Sequence, residues 1–236
     1  MANLGEGDLP SGARRFLLEN SLSLFFLVIF LAALTGQAIA GHSLFNQDQV
    51  AHHEQPIGFW RYLTSSHFGQ AVMENWQSEY LQFALFALAT VWLVQRGSPE
   101  SKKLDRAGTE SQEDQRLGKH AHPRSPAWAR AQGLRRVIYS NSLIIVMALV
   151  FVGSWFGQSV TGWSEFNDSQ RAHHELPVSW WSFIGSPTFW ESTFQNWQSE
   201  FLAVGSFVVL TIYLRQRGSP ESKPVGTAHD ATGLEG

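Results

Sequence analysis

The chain has 236 residues, a formal net charge of -3 and no cysteine. The lack of cysteine excludes both a disulfide framework and a thiolate metal site. The apolar residues gather in four blocks, each near the length of about 20 residues that a helix needs to cross about 30 Å of hydrocarbon. These blocks predict an integral membrane protein, with the lipid bilayer as its main partner.

The first block, residues 21–41, follows an N-terminal tail, residues 1–19. Arg14 and Arg15 before the block, with the small residues of Ala38–Ala40 at its end, also fit a secretory signal peptide. However, the block has a counterpart at residues 142–161, deep inside the chain, where no signal peptide is cleaved. We therefore interpret both blocks as retained membrane helices.

The chain contains two copies of one sequence unit. At an offset of 121 residues, 36 of the 83 positions in 20–102 are identical to their counterparts in 141–223, without insertion or deletion. Such a match indicates duplication. Repeat 1 is predicted to have spans 21–41 and 76–94 around an outer loop, 42–75, and repeat 2 to have spans 142–161 and 197–214 around an outer loop, 162–196.

The positive charges predict the orientation. Of the 17 Lys and Arg residues, 15 lie in the N-terminal tail, in the central segment 95–139 or in residues 215–236, and only Arg61 and Arg171 lie in the outer loops. The positive-inside rule then places both termini and the central segment in the cytoplasm. Because each repeat has two spans, both copies share one orientation. The predicted fold is an all-α membrane four-helix bundle of two parallel repeats, with short interfacial helices in the outer loops.

The linker, residues 103–140, and the C-terminal tail, residues 224–236, are predicted to be disordered because they have little apolar surface to bury. A block with the sequence RGSPESK begins at Arg96 and recurs at Arg217. Its glycines, Gly97 and Gly218, favour a structural interpretation in which each caps the C-terminal end of a membrane helix.

Each outer loop carries a His-His-Glu triplet after a pattern that resembles a capping box, Asn46-x-x-Gln49 or Asn167-x-x-Gln170. The pattern predicts a short helix that begins there, includes the triplet and ends before Pro56 or Pro177. Aromatic runs follow, at Gly58 and at Ser179, and such runs are typical of the membrane interface.

The second span of each repeat begins with the sequence NWQSE. A carboxylate at the entry to an apolar span is expensive without a partner. The face of a helix that carries Asn75, Glu79 and Gln82 is therefore expected to turn to the bundle interior, near the triplets. The candidate site residues are His52, His53, Glu54, Glu79, His173, His174, Glu175 and Glu200, supported by Gln37, Asn75, Gln158 and Asn196.

Three interpretations of these residues stay open. They bind a divalent metal such as Zn, Fe or Mn, although adjacent histidines on a helix diverge and the Glu-x-x-His spacing of dinuclear carboxylate sites is absent. They exchange protons, since histidine titrates near neutral pH. Or they only fasten the outer loops, in a structural subunit that binds a membrane partner or a second copy. No catalytic motif predicts an enzyme, and the basic residues predict no nucleic-acid binding.

The duplicated AHHE, NWQSE and RGSPES sequences in a four-span chain resemble an uncharacterised family of bacterial membrane proteins, known as a domain of unknown function. The resemblance covers residues 20–223. It implies a bacterial inner-membrane location and no particular activity or cofactor.

Overall fold

The computed structural model describes residues 12–233. All regular secondary structure in this range is helical, which confirms the all-α prediction. The α-helices are α1 Gly12–Glu19, α2 Ser21–Ala51, α3 Phe59–Leu63, α4 Ser66–Ala89, α5 Leu134–Ser140, α6 Ser142–Ala172, α7 Trp180–Ile184 and α8 Pro187–Tyr213. Three short 3-10 helices, Leu104–Arg106, Gly118–His120 and Ala127–Arg130, lie between α4 and α5.

Two helix pairs of the repeats have matching bounds, and a third pair matches at its start. α2 and α6 both contain 31 residues, and α3 and α7 both contain 5 residues. α4 and α8 begin at equivalent positions, directly after Ser65 and Ser186, two serines whose place before an apolar helix predicts an N-cap. The backbone N–H of Phe68 donates to the Ser65 hydroxyl at 3.3 Å, and the N–H of Phe189 donates to the Ser186 hydroxyl at 3.4 Å. These hydrogen bonds confirm both caps, because they satisfy N–H groups that the first turn leaves unpaired.

The chain divides into two compact units, the first ending at Phe68 and the second beginning at Gly69. The boundary falls inside α4. The first unit holds α1, α2, α3 and the first turn of α4, and the second unit holds the remaining helices and the linker.

Two helices are long and apolar enough to cross a membrane, α2 and α6. Their most apolar segments have mean hydropathies of 2.3 and 2.0, and only 6% and 17% of those segments are buried. Apolar surface left open on this scale is expected to face lipid or a partner, which supports a membrane protein in general terms. The predicted spans 76–94 and 197–214 lie largely in α4 and α8, and α4 ends at Ala89, before the predicted limit.

An aromatic side chain from each short helix packs on a glycine of the preceding long helix. In the first unit Tyr62, 1% exposed, lies against Gly41, where a Cβ atom would collide with the tyrosine hydroxyl. In the second unit Phe183, 3% exposed, lies against Gly162, where a Cβ atom would be 3.1 Å from Cζ of Phe183. Each short helix is therefore held down by a buried ring at the same repeat position.

In the second unit α4 and α6 meet at two glycines. A Cβ atom on Gly157 would lie 2.9 Å from Sδ of Met73, and one on Gly69 would lie 2.9 Å from Cγ2 of Thr161. Small residues at such contacts let two helix backbones approach, which is the common mode of helix association in membranes. α8 adds to this pair through aromatic contacts, among them the indoles of Trp155 and Trp197 with ring centroids 6.0 Å apart.

The linker and residues 224–233 of the tail follow a defined path of turns and 3-10 helices. Their disorder in solution stays a prediction, which limited proteolysis tests.

Candidate functional site

The His-His-Glu triplets end α2 and α6. The backbone of the second histidine of each triplet adopts the left-handed conformation, with φ of 61° at His53 and 60° at His174. This histidine and the glutamate after it donate their backbone N–H groups to carbonyls of the last helical turn. The bonds are His53 to Val50, Glu54 to Gln49, His174 to Arg171 and Glu175 to Gln170, at 2.7 to 3.1 Å. This pattern is the Schellman motif, so each triplet has a structural role as a helix end.

No new helix begins at the predicted capping boxes. α2 runs unbroken through Asn46 to Ala51, and α6 runs through Asn167 to Ala172. The prediction was wrong because the asparagine side chains bind the loop and not their own helix. Asn46 donates to the carbonyl of Ile57 at 3.0 Å and accepts from its N–H at 2.8 Å. Asn167 makes the same two bonds to Val178.

A third bond in each copy holds the same loop carbonyl. The imidazole of His42 bonds the carbonyl of Ile57 at 2.7 Å, and the indole N–H of Trp163 donates to the carbonyl of Val178 at 2.8 Å. His42 and Trp163 occupy equivalent repeat positions. The outer loops are therefore fastened as one interpretation predicted, but by Asn46, Asn167 and these rings.

The structure gives no support for a preformed metal centre at the triplets. His52, His53, Glu54, His173, His174 and Glu175 are all exposed. The first histidine of each triplet bonds a backbone carbonyl one turn back, His52 to Asp48 at 3.0 Å and His173 to Ser169 at 2.8 Å. Among residues 12–233, no three His, Asp or Glu side chains lie close enough to hold a metal ion.

The first NWQSE sequence faces the other way from the prediction, whereas in the second copy Asn196 and Glu200 are half-buried and Gln198 and Ser199 are exposed. Asn75 and Glu79 are exposed, whereas Gln77 and Ser78 are buried. Asn75 donates to the carbonyl of Ala71 in its own helix at 2.7 Å, and Asn196 likewise donates to Ser192 at 2.9 Å. Glu79 and Glu200 lie near enough for their charges to interact. Their role as a metal or proton site stays a hypothesis.

The two predicted supporting glutamines differ in burial. Gln37 is exposed in the first unit, but Gln158 is 2% exposed in the second. Its amide Nε2 donates to Glu74 Oε1 at 3.4 Å and to the Ser192 hydroxyl at 3.1 Å. Gln158 therefore joins α4 to α8, with a carboxyl that the sequence prediction did not include.

Beside this contact lies a second buried pair. Gln77, 0% exposed, accepts a hydrogen bond at 2.7 Å from the indole N–H of Trp197. Gln77 is three residues from Glu74 on α4, and Trp197 contacts Trp155 of α6. We call Glu74, Gln77, Trp155, Gln158, Ser192 and Trp197 the buried polar cluster; its members come from α4, α6 and α8 of the second unit.

Three atoms of the buried polar cluster have no hydrogen-bond partner within residues 12–233: Gln77 Nε2, Trp155 Nε1 and Gln158 Oε1. Two of these atoms donate and one accepts. The orientation of the Gln77 amide is set by its partner, because the Trp197 indole N–H can only donate and Gln77 Oε1 accepts from it. A buried polar atom without a partner costs about 1–3 kcal/mol, so the cluster is suited to a small hydrogen-bonding species.

The sequence did contain a signal for this cluster. Gln70, Glu74 and Gln77 follow the i, i+4, i+7 spacing of one helix face, and the side chains of Gln70 and Glu74 are hydrogen-bonded. The sequence prediction gave more weight to the acid of NWQSE because it recurs in both copies. Glu74 has Gln195 as its counterpart, so the repeat concealed it.

A family model described as a domain of unknown function, DUF6766, matches residues 13–234. The chain belongs to the DUF6766 family. Neither a curated protein nor a solved structure matches the chain. The DUF6766 match includes both repeats, the linker and nearly all of the tail, so the linker and the tail belong to the same domain as the repeats.

The RGSPESK blocks of this DUF6766 chain form tight turns. The N–H of Ser98 donates to the carbonyl of Gln95 at 3.1 Å, and Gly97 has a φ of 88°, as the third position of a type II turn requires. Gly218 repeats this geometry with a φ of 83°. The predicted helix capping was wrong, because α4 and α8 end earlier, at Ala89 and Tyr213.

In the DUF6766 structure the tail lies across the first turn and is held by Lys223. This ammonium, 1% exposed, donates to the carbonyls of Gly97 at 2.6 Å, His229 at 2.9 Å, and Ala228 and Ala231 at 3.2 Å. Burial lowers the pKa of Lys223. Its counterpart, Lys102, is half-buried and binds the carbonyl of Gly108 at 3.0 Å and the carboxylate of Glu110 at 3.0 Å.

Glu100 and Glu221, the glutamates of the two RGSPESK turns, lie next to each other and share a hydrogen bond. Burial, a hydrogen bond with Glu221 and repulsion by the charge of Glu221 raise the pKa of Glu100 from 4.5 to about 7. Since the folded chain holds this proton more tightly than the unfolded chain, the associated stability is present at low pH. It is lost as the pH rises through the interval from 4.5 to about 7.

Glu100→Gln is therefore expected to remove a loss of thermal stability that the unmodified protein shows as pH rises towards 7 and above. Unfolding midpoints of the detergent-purified protein, measured across this pH range, check the expectation. Glu113→Gln, which removes an exposed acid of the linker, is the matched control and should keep the pH profile of the unmodified chain. An unchanged profile in Glu100→Gln would contradict the shared-proton contact.

Proposed function

We propose that this chain is a four-span protein of the bacterial cytoplasmic membrane that exchanges protons at the buried polar cluster. The exposed apolar lengths of α2 and α6 support the membrane location. The placement of 15 of the 17 basic residues outside the outer loops supports cytoplasmic termini and a cytoplasmic linker. Two repeats in one orientation then form a four-helix bundle, with the triplets on the outer side.

One observation carries the proton-exchange proposal: the half-buried carboxyl of Glu74 lies in a cluster whose buried donors and acceptor lack protein partners. Lipid cannot satisfy such groups. A carboxylate without a cation is also unfavourable there, whereas the neutral acid is not. Uptake and release of a proton is the chemistry that suits these groups. The proposal therefore moves the proton site from Glu79 and Glu200 to Glu74.

Dicyclohexylcarbodiimide, which modifies protonated carboxyls in apolar surroundings, is expected to label Glu74 in reconstituted protein. Labelling should be greater at acidic than at alkaline pH, falling by up to about tenfold per pH unit once the group ionises. Mass spectrometry of the peptide that contains Glu74 measures the labelled fraction.

Glu74→Gln should lose this label while keeping its fold. The exposed carboxyls of Glu54 and Glu175 are internal controls, since water solvates them and their labelling should stay low. Absence of label at Glu74, or labelling that does not change with pH, would refute proton exchange at the cluster.

A structural or partner-binding subunit is the alternative. Two observations favour it. The triplets form the Schellman motifs that end α2 and α6, and Asn46 and Asn167 bind the outer loops through hydrogen bonds. The triplets and the loops therefore already have a structural function. In that case the cluster stays unreactive to carbodiimide, and light scattering of the purified protein reveals a stable complex with a second copy or a membrane-protein partner.

A further inference from the structure

The linker ends in a strongly basic segment. Residues 116–136 contain no acidic residue and end within α5, the short helix that precedes the long apolar helix α6. The basic residues of this segment are Arg116, Lys119, Arg124, Arg130, Arg135 and Arg136. Within residues 12–233, none of the six takes part in an ion pair. Six uncompensated charges at one end of an apolar helix indicate attraction to an anionic surface.

The basic segment folds around a cavity. The 3-10 helices Gly118–His120 and Ala127–Arg130 pack on each other, and Ala127–Arg130 packs on α5. Ala127–Arg130, α5 and residues 115–117 line a surface cavity of about 410 Å³ that reaches the start of α6. Its polar lining includes Arg116, Ser125, Tyr139, Ser140 and Ser142. A cation with several hydroxyl donors is a suitable set of groups for phosphate oxygens.

Exposed apolar side chains lie on the two short helices that contribute Ala129, Tyr139 and Ser140 to this lining, and we call these apolar side chains the rim. α5 leaves Leu134 73%, Val137 55% and Ile138 40% exposed, and Trp128 is 48% exposed next to Tyr139, with ring centroids 6.3 Å apart. A short helix that combines arginines with exposed aliphatic and aromatic side chains is typical of the membrane interface. The cavity therefore combines an anion-binding interior with a rim suited to acyl chains.

We propose that this cavity binds the phosphate headgroup of an anionic phospholipid of the inner leaflet, with Arg116 in the cavity and Arg135 and Arg136 on the adjoining helix. The proposal rests on the membrane placement above and not on proton exchange at Glu74. The exposed apolar rim favours a lipid over free phosphate, because free phosphate has no apolar part to bury. α5 and α6 adjoin at Asn141, which places the site where a headgroup would lie.

Titration of the full-length protein in uncharged detergent with phosphatidylglycerol tests this site. Phosphatidylglycerol is expected to raise the unfolding midpoint, and phosphatidylcholine and inorganic phosphate are not. In Arg116→Gln/Arg135→Gln/Arg136→Gln, half-saturation should need about 100-fold more phosphatidylglycerol, since each basic group near an anionic surface contributes about fivefold.

Two further variants distinguish loss of lipid binding at this site from a general loss of positive charge and from misfolding of the Gln variant. Arg14→Gln/Arg15→Gln/Arg217→Gln removes the same charge elsewhere and should keep the response. Arg116→Lys/Arg135→Lys/Arg136→Lys keeps the positive charges in place and should keep most of the response to phosphatidylglycerol. An equal response to phosphatidylcholine, an equal response to inorganic phosphate, or a full response of the Gln variant would each overturn the proposal, whatever the result at Glu74.

Discussion

Lys223→Met is expected to release the C-terminal tail from the turn at Gly97 and to lower the stability of the inner end of the second unit. The ammonium is buried and binds four carbonyls. Methionine fills a similar volume but donates no hydrogen bond. A single hydrogen bond to a charged group is worth about 1.5–3 kcal/mol. We therefore expect the free energy of unfolding to fall by about 3 kcal/mol or more, and detachment of the tail sets the upper limit of this loss.

Limited proteolysis of the purified protein measures this release, because a protease cleaves the detached tail, from Pro224 onwards, faster than the bound tail. Thermal unfolding gives the accompanying loss of stability. Lys102→Met is the matched control: Lys102 stands at the same repeat position but is half-buried and binds one carbonyl and one carboxylate. Equal effects of the two substitutions would show that the four carbonyls around Lys223 contribute little.

Gly157→Leu is expected to force α4 and α6 apart and to disturb the buried polar cluster. Even the first carbon of the new side chain would lie 2.9 Å from Sδ and 3.1 Å from Cγ of Met73. Overpacking of this kind costs about 1–3 kcal/mol. Gly157 adjoins Gln158, so the contact of Gln158 with Glu74 should lengthen as well.

Gly153→Leu is the control for Gly157→Leu on the same helix. Among residues 12–233, no atom apart from the chain neighbours and the backbone of α6 lies within 4 Å of a Cβ atom at Gly153. Replacing a helical glycine gains about 1 kcal/mol of helix propensity in both variants. Thermal unfolding in detergent should therefore show Gly153→Leu as stable as the unmodified protein or more stable, and Gly157→Leu as clearly less stable. The reverse order would contradict close packing of the two helices.

The starts of the helices could be predicted from sequence more reliably than their ends. Ser65 and Ser186 have the right residue type directly before an apolar helix, and they act as N-caps. The ends of α2 and α6 were missed because Asn46 and Asn167 show the letters of a capping box. Their actual partners, Ile57 and Val178, are 11 residues away, and a local pattern does not contain such contacts.

The site was harder to predict because helix periodicity leaves the buried face undecided. In NWQSE, Gln77 and Glu79 point about 200° apart on the helix, and both faces contain polar residues. The glutamine is buried because Trp197 of another helix donates to it. The sequence prediction named Gln158 as a polar helper of the triplets and of Glu79 and Glu200, but its partner is Glu74, an acid with no counterpart in the second repeat.

The lengths of α2 and α6 set the reach of the outer loops. A helix of 31 residues is about 46 Å long at about 1.5 Å per residue, whereas the hydrocarbon layer is about 30 Å thick. In the proposed orientation, the last ten or so residues of each helix would therefore form a stalk that rises roughly 15 Å above the lipid. Each His-His-Glu triplet then stands at the tip of a stalk, within reach of soluble molecules that never touch the bilayer.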